Sequence, residues 1–582
     1  LLIVEEKRPL IEEQLAHLLY NLPADRRPRL LGKRDLDGKP LLPSVGELAP
    51  GTVANAIRNR LLALELDDET RNAIARTQVG QAQQAQVVAA AAGLVRLPSF
   101  CAGCPHNTST RVPEGSIAMG GIGCHGLATW LPERRTITLY HMGGEGAAWI
   151  GQAPFMEDVK HIFQNLGDGT YFHSGLLAVR ACVAAGVDIT YKILLNGAIA
   201  MTGGQPIEGE SFDSRITAPH VAHQLVAEGV KRVAVVSDDP SRHDPKDFPP
   251  QVSFHHRDEL DDVQREMRGI RGVSAIIYDQ SCATERRRLR KRGKLPDPPK
   301  RLFIHPEVCE GCGDCGLQSN CVALEPLETG FGRKRQINQS VCNKDYSCLK
   351  GLCPSFVTVE GGSLRKTAWT AVGDPAEAAR SLPEPTLSGT RGPYSILVAG
   401  IGGNGVVTVG AILGMAAHLD GRGVSVLDIS GLAQRNGPVT SHVRLASDDG
   451  GSHAPRIPEC AADLVIGCDL VVAAGAESLS KMSTDRTTVV YNRYVAPTSA
   501  FATNPNLDFG ERRFTDAIRP RVARMVGIDA TGVARAMLGD AIGTNLFLVG
   551  HAWQLGLIPI RRESIEQAIR LNGAAVPLNL AA

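Results

Sequence analysis

Seven of the fourteen cysteines fall between residues 309 and 353, and their spacing narrows what the chain can become. Cys309, Cys312 and Cys315 stand at C-x₂-C-x₂-C intervals, with Cys321 six residues further on. A second run keeps the intervals with one change: Cys342, Asp345 and Cys348, then Cys353 followed by Pro354. Triplets at this spacing wrap an iron–sulfur cluster, and where two runs share a chain the remote fourth cysteine of each crosses to the other cluster. On that rule Cys309, Cys312, Cys315 and Cys353 make one complete four-thiolate [4Fe-4S] site. Cys321, Cys342 and Cys348 make the other, with Asp345 where the fourth ligand belongs. Zinc would ask for two clean C-x₂-C pairs instead of two triplets and a Cys-Pro. A decayed site would lose residues without regard to chemistry, whereas a carboxylate is itself a metal ligand. Asp345 is therefore expected to hold the labile iron of a working cluster.

Such clusters must sit inside something larger. At 582 residues the chain has room for about four domains at roughly one per 150 residues. Its hydrophobic content of 43% and charged content of 21% are those of a globular protein. A net charge of +1 and no basic stripe argue against a nucleic-acid binder. No apolar run reaches the ~18 residues of a membrane span, and no signal peptide is visible. Cysteines that bind metal instead of pairing point to a reducing, cytoplasmic setting. The opening "LLIVEE" has the pattern of a strand, an unusual way for a domain to begin, so a longer polypeptide is expected to precede it.

The organisation follows from alternation. "LIEEQLAHLLYN" has helical periodicity and is followed by a Pro-rich loop; the Ala-rich stretch from 71 to 95 is expected to be helical. From 96 to 290, strands such as "RTITLY", "ITYKILLN" and "RVAVVS" alternate with Ala/Gly-rich segments, the mark of an α/β domain with a mainly parallel sheet. The basic run "ERRRLRKRGKLPDPPK" is expected to be a solvated linker. The cysteine-rich module occupies 301–362. A Pro/Ser/Gly linker leads to a second α/β segment, 393–582, with strands "YSILVAGI" and "VSVLDI".

The first α/β segment carries a second chemical signature. Gly167-Asp168-Gly169 is followed, after 26 residues holding a helix and an apolar strand, by Asn196 in "LLNGAIAMTGG". This is the thiamine diphosphate pattern. Asp168 would end one strand and Asn196 the next parallel one, bringing both oxygens into the crevice at the carboxyl ends of the sheet. There Mg²⁺ would take these oxygens, a carbonyl near Ala198 and the diphosphate, while the glycines admit backbone amides to the phosphates.

With both signatures present, the chain resembles the 2-oxoacid:ferredoxin oxidoreductase superfamily, most closely its fused indolepyruvate ferredoxin oxidoreductases. "CAGCPHNTST", "GIGCHGLATW", "MGGEGAAWIGQAPF", "GDGTYFHSG" and "AMTGGQP" carry the thiamine-domain resemblance; "GIGGNGVVTVGAIL" with "GLAQRNGPVTSHVRL" resembles the family's Rossmann-like gamma domain. The resemblance implies an α/β multidomain protein with a thiamine-binding parallel-sheet domain, a two-cluster ferredoxin-like insert and the gamma domain. It implies that an arylpyruvate, coenzyme A and oxidised ferredoxin give the aryl-acetyl-CoA, CO₂ and reduced ferredoxin, in a homodimer. It also implies a third cluster beside the thiamine, held by Cys101, Cys104, Cys124 and, as a looser match, Cys282. The glutamate that activates the aminopyrimidine of thiamine is expected outside this chain. Cys182, Cys460 and Cys468 match nothing and are expected in the core.

Two motifs remain open. Gly400, Gly402 and Gly405 spell G-x-G-x-x-G, with Asp428 about 23 residues on, a dinucleotide fingerprint that would make the protein an NAD-linked iron–sulfur oxidoreductase. The gamma-domain resemblance favours a packing role for these glycines. A non-catalytic electron-transfer subunit is the other alternative, against which the intact Asp168 and Asn196 weigh. His125, His141 and His173 flank the thiamine motifs and are candidates for contact with substrate.

Overall fold

The computed structural model describes residues 1–46, 48, 50–72, 74, 95–210, 215–362, 381–387, 393–430, 436–446 and 454–582. The chain divides into two units, Leu1–Gly93 and Leu94–Ala582.

In the first unit a helix spans Leu10–Leu19 as its periodicity predicts. Pro9 cannot cap it, and the carboxylate of Glu5 does so instead, accepting the N–H groups of Ile11 (2.8 Å) and Glu12 (2.9 Å). The opening residues do not form the expected strand. Leu2 makes a single parallel bridge to Leu31, because the chain turns away at the helix before a ladder can extend. A second helix, Pro50–Leu62, begins with proline at its first position, where the missing N–H costs nothing. Most of the Ala-rich stretch expected to be helical lies outside the described residues.

The second unit contains two large sheets. The first has strands β1 (Ala118–Gly120), β2 (Thr136–Leu139), β3 (Ile162–Gly167), β4 (Ile189–Leu195), β5 (Arg232–Ser237), β6 (Ser253–His256) and β7 (Val273–Asp279). They run in the order β2-β1-β3-β4-β7-β5-β6, every pair parallel. Parallel sheets are covered on both faces, which is why β4 is buried at all seven positions and reads as a continuous apolar run. One apolar cluster includes Trp149, Tyr171, Val179 and Val221; another, around Leu260, Val263 and Met267, packs against strands β4, β5 and β7.

After β7 the sequence reading needs correction. Residues 285–291 of the run expected to be a solvated linker lie in a helix, Ala283–Lys291, whose arginines are spent on neighbours. Arg286 pairs with Asp238, Arg287 donates to the carbonyl of Ser340, Arg288 to that of Gly203 and Arg290 to that of Asn343. Carbonyl acceptors leave no charge signature in a sequence, so the run was legible only as charge. The cysteine-rich module follows: β8 (Arg301–Ile304) pairs antiparallel with β11 (Phe356–Val359), and β9 (Leu324–Thr329) with β10 (Gly332–Ile337). Its small core is built from Ile304, Leu324, Ile337, Phe356 and four cysteines.

The second large sheet holds β12 (Tyr394–Ile401), β13 (Val424–Ile429), β14 (Pro438–Leu445), β15 (Leu464–Gly467), β16 (Thr488–Asn492) and β17 (Arg524–Ile528), in the order β13-β14-β12-β15-β16-β17. β14 is antiparallel to both its neighbours and the rest are parallel. The helix Val406–Leu419, apolar almost all round, fills the core beneath it. A buried ion pair binds this sheet to the segment before β1. Arg96 donates to both carboxylate oxygens of Asp469 at 3.0 and 2.8 Å, with side chains 4% and 2% exposed. Among the described residues no helix is long and apolar enough to cross a membrane.

Candidate active site

β3 and β4 lie side by side in register, Gly167 opposite Leu194, so the residues that follow them emerge together at the carboxyl edge of the sheet. Asp168 is 3% exposed. Its Oδ1 accepts the N–H of Gly169 (2.9 Å), and its Oδ2 accepts those of Asn196 (2.8 Å) and Gly197 (2.9 Å). The carboxylate thus pins the two strand ends to each other. Burial pushes its pKa up to about 6 even though three amides oppose the shift. The Oδ1 of Asn196 is buried with no hydrogen-bond partner among the described residues. An orphaned amide oxygen costs about 1–3 kcal/mol, and a hard cation would satisfy it. A carboxylate and an amide oxygen are donors that Mg²⁺ accepts. The chain needs room here: a Cβ on Gly169 would lie 3.0 Å from Ile199, and Gly197 has φ +76°, with buried Ala198 next in line. Beyond Thr170 the backbone widens into a π-turn over Tyr171–Gly175 before the helix Leu176–Ala185, an irregularity that recurs at functional sites.

Cys101, Cys104, Cys124 and Cys282 come from loops before β1, after β1 and after β7, and they line one small cavity together with His106, Thr284 and Asn196. Burial drives the Cys104 thiol pKa well up, and the neighbouring Cys101, Cys124 and Cys282 drive it further. The hydroxyl of Thr284 donates to the Cys101 sulfur at 3.6 Å. Cys282, the loosest match in sequence, stands with the other three. Asn196 faces both this cavity and Asp168, so the two candidate sites adjoin.

In the module the cysteines lie near one another. Burial raises the Cys315 thiol to about 11, with Cys309 and Cys353 adding to it, and Arg335 lies against Cys315, Cys309 and Cys312. Burial likewise raises Cys321 to about 12, with Cys342 and Asp345 adding to it, and raises Cys348, with Cys321, Cys342 and Cys315 adding to it. No disulfide joins these cysteines, and among the described residues no three His, Cys, Asp or Glu side chains close on a single ion position. Cys312 is exposed, whereas Cys309 and Cys315 are buried. Asp345 has partners that the sequence does not announce: Arg257 at 2.5 Å, Gln280 at 3.2 Å, and Ser347.

Of the three flanking histidines, only His125 is buried; its Nε2 accepts the N–H of Gly121 at 3.3 Å, and its ring packs on Gly167. Burial lowers its pKa to about 4, so it is neutral. His141 and His173 are exposed, the latter on the π-turn and bonded to Ser174. Glu145, which sequence reasoning passed over, is fully buried beyond the end of β2. Its Oε2 accepts the N–H of Gly143 (2.7 Å), its Oε1 has no partner among the described residues, and burial raises its pKa. A carboxylate set among three glycines was the available signal. Cys182 and Cys468 are buried as expected; Cys460 is half-buried.

The Gly400–Gly405 turn does follow a strand and open a helix, with Gly405 at φ +90°. It departs from the dinucleotide fingerprint in one respect that matters. β14 is inserted antiparallel between β12 and β13, so Asp428 ends a strand two places away and not the adjacent one. An acidic residue so displaced does not meet a ribose at the glycine turn. Gly402, Gly403 and Asn404 instead line a cavity of about 1510 Å³ that they share with Cys101, Arg287, Arg288, Lys291 and Arg535.

Residues 395–582 match the pyruvate ferredoxin/flavodoxin oxidoreductase family, residues 1–86 the indolepyruvate oxidoreductase domain, and residues 121–248 the C-terminal TPP-binding domain of thiamine pyrophosphate enzymes. Indolepyruvate oxidoreductase subunit IorB of Archaeoglobus fulgidus is 34% identical over 196 residues, 32% of this chain and 90% of that protein. Subunit IorA of Thermococcus kodakarensis is 28% identical over 381 residues, 56% of this chain and 53% of that protein. Among solved structures, pyruvate oxidoreductase subunit PORC of Thermotoga maritima aligns at 18% identity, 33% of this chain and 92% of that one, with a TM-score of 0.24. The chain belongs to the 2-oxoacid:ferredoxin oxidoreductase superfamily. Within it the chain resembles a fused indolepyruvate oxidoreductase, with IorA-like and IorB-like sequence in one polypeptide, and it spans about half the length of the IorA relative.

Proposed function

We propose that this chain carries the thiamine and electron-transfer parts of a 2-oxoacid:ferredoxin oxidoreductase acting on an arylpyruvate such as indolepyruvate. The observation that carries the reading is Asn196, whose backbone N–H is held by Asp168, whose buried Oδ1 has no partner among the described residues, and which also lines the cavity of Cys101, Cys104, Cys124 and Cys282. Asp168 and Asn196 would hold Mg²⁺ and the diphosphate of thiamine; the cysteines would hold iron–sulfur clusters. When bound, thiamine diphosphate supplies an electron sink for loss of CO₂, and clusters take electrons singly.

The protein's own contribution is arrangement. Asp168 fixes the spacing of the two strand ends, Gly167 and Gly169 leave room for phosphate, and neutral His125 walls the crevice without adding charge. Contacts suggest the order of the cysteine sets. Gly103, between Cys101 and Cys104, abuts Asp345, and Asn343 donates to the carbonyl of Ala102 at 2.8 Å. The Cys321 set thus neighbours the thiamine-side set, and the Cys309 set, with exposed Cys312, faces outward to ferredoxin. The cationic cavity under Gly402–Asn404 supports a role in receiving the phosphates of coenzyme A. The test is optical. In the reconstituted chain, assembled with whatever subunit completes it, indolepyruvate with thiamine diphosphate and coenzyme A should bleach the visible iron–sulfur absorption, and NADH should not. Bleaching by NADH alone would replace the reading with an NAD-linked one.

A further inference from the structure

The partners of Asp345 bear on the chemistry of the second cysteine set, given the proposal that these cysteines hold an iron–sulfur cluster. Asp345 and Arg257 are each 12% exposed. Oδ1 takes the Nη1 of Arg257 at 2.5 Å and the Nε2 of Gln280 at 3.2 Å; Oδ2 takes the hydroxyl of Ser347; the backbone carbonyl takes the Nη2 of Arg257 at 2.9 Å. The arginine therefore grips side chain and backbone together, across 88 residues of sequence. The loop is bent to allow this. Lys344 (φ +59°) and Tyr346 (φ +64°), on either side of Asp345, are both left-handed, a conformation that crowds the Cβ of any residue other than glycine. Each is pinned in turn, Lys344 by Asp297 and Tyr346 by the carbonyl of Lys300 at 2.8 Å. Lys350 reaches Asp258 at 2.5 Å, a second ion pair onto the same turn. On its other side the Asp345 Cβ presses on Gly103, where an added Cβ would come within 2.7 Å. The contacts with Arg257, Gln280, Asp258 and Gly103 seat the loop on the sheet domain, those with Asp297, Lys300 and Ser347 hold its own bend, and together they use both carboxylate oxygens.

We propose that Asp345 is a docking carboxylate and not an iron ligand, that Cys321, Cys342 and Cys348 consequently hold a three-iron cluster, and that Arg257 keeps the fourth corner from closing. A three-iron cluster needs only the three thiolates present. A fourth iron would have to draw a hard oxygen away from a guanidinium that holds it by a charge-assisted bond. Removing the guanidinium frees the carboxylate for that iron, and a thiolate in its place would bind the iron outright.

The experiment uses the full chain reconstituted anaerobically with ferric iron, a thiol and sulfide, with iron counted and electron paramagnetic resonance recorded at low temperature in both perpendicular and parallel modes, so that a three-iron cluster is counted in its oxidised and its reduced state without an oxidant that would damage four-iron clusters into three-iron ones. The wild type should show the three-iron signal at about one spin per chain. Asp345→Ala should keep it. Asp345→Cys should lower it at least tenfold and add about one iron. Arg257→Gln should lower it by more than half, whereas Arg257→Lys, which retains the charge, should keep it. A wild type without the signal, in which Asp345→Ala creates it, would make Asp345 a ligand and overturn the proposal while leaving the cluster reading intact. An unchanged signal in Asp345→Cys or Arg257→Gln would also overturn it. Failure of every variant to bind iron would remove the cluster reading and the proposal together.

Discussion

Asp168 is held by three backbone amides that favour its charge, yet burial wins and sets its pKa near 6. A divalent cation would reverse that balance. Asp168→Ala should therefore weaken Mg²⁺-dependent thiamine diphosphate binding about a hundredfold or more, because direct ligands matter at least as much as the outer-shell partners that cost 10–100-fold. Calorimetric titration of both proteins measures this, and equal affinities would refute the assignment. Arg96 makes a different demand. Its loss in Arg96→Met leaves the Asp469 charge buried without its partner, a loss of about 3–5 kcal/mol. Denaturant unfolding should show it, and a change below 1 kcal/mol would mean that water or a rearranged cation takes over. Asp168 and Asn196 were readable in advance because a fixed interval separates two strand ends. The partners of Asp345 were not, since Arg257 and Gln280 arrive from other loops and no interval encodes them.

At the scale of elements, strands fared better than helices on the charged surface. "RVAVVS", "YSILVAGI" and "VSVLDI" are strands with the limits the sequence suggested; the first two are buried almost throughout and read as apolar runs, and the third is a half-exposed edge strand marked by alternation. The helix Ala283–Lys291 was mistaken for a tether. It is a bracket: Arg287 and Arg290 hold the carbonyls of Ser340 and Asn343 on either side of Cys342. Charge-assisted bonds of this kind contribute about 1.5–3 kcal/mol. The double change Arg287→Ala, Arg290→Ala should speed amide exchange across residues 338–348 by roughly tenfold or more, at 1.4 kcal/mol per factor of ten, and leave β4 and β7 protected. Equal exchange in both proteins would show that the loop's other contacts hold it without the two arginines. The exposed pair Lys291–Asp540, by contrast, should be worth no more than about 1 kcal/mol.

For the whole molecule, acid is the informative perturbation. Burial lowers His125, His161 and His442 to about 4 each. Their unfolded pKa is near 6.5, so between pH 6.5 and 4 the unfolded chain binds more protons than the folded one. Stability contributed by neutral burial is complete above that window and is lost as pH falls, by up to about 1.4 kcal/mol per pH unit per histidine. Asp168, raised to about 6, acts in the opposite sense below that pH, as do the raised Glu145 and Asp279, while His106, lowered to about 3, adds to the histidines. The melting temperature of the metal-free chain should accordingly drop between pH 7 and pH 5, and a flat or rising profile would contradict these assignments. The origin of the four cysteines in the Asn196 cavity carries a consequence for biogenesis. Residues 101, 104, 124 and 282 meet only once the seven-stranded sheet has closed, and non-local strand pairing of that kind is the slow part of folding. The module's cysteines, all between 309 and 353, need only local chain. A nascent polypeptide would thus mature in two stages: its outer electron stores could be filled early, and the one next to the organic cofactor would be filled last, so that its presence certifies that the scaffold is finished.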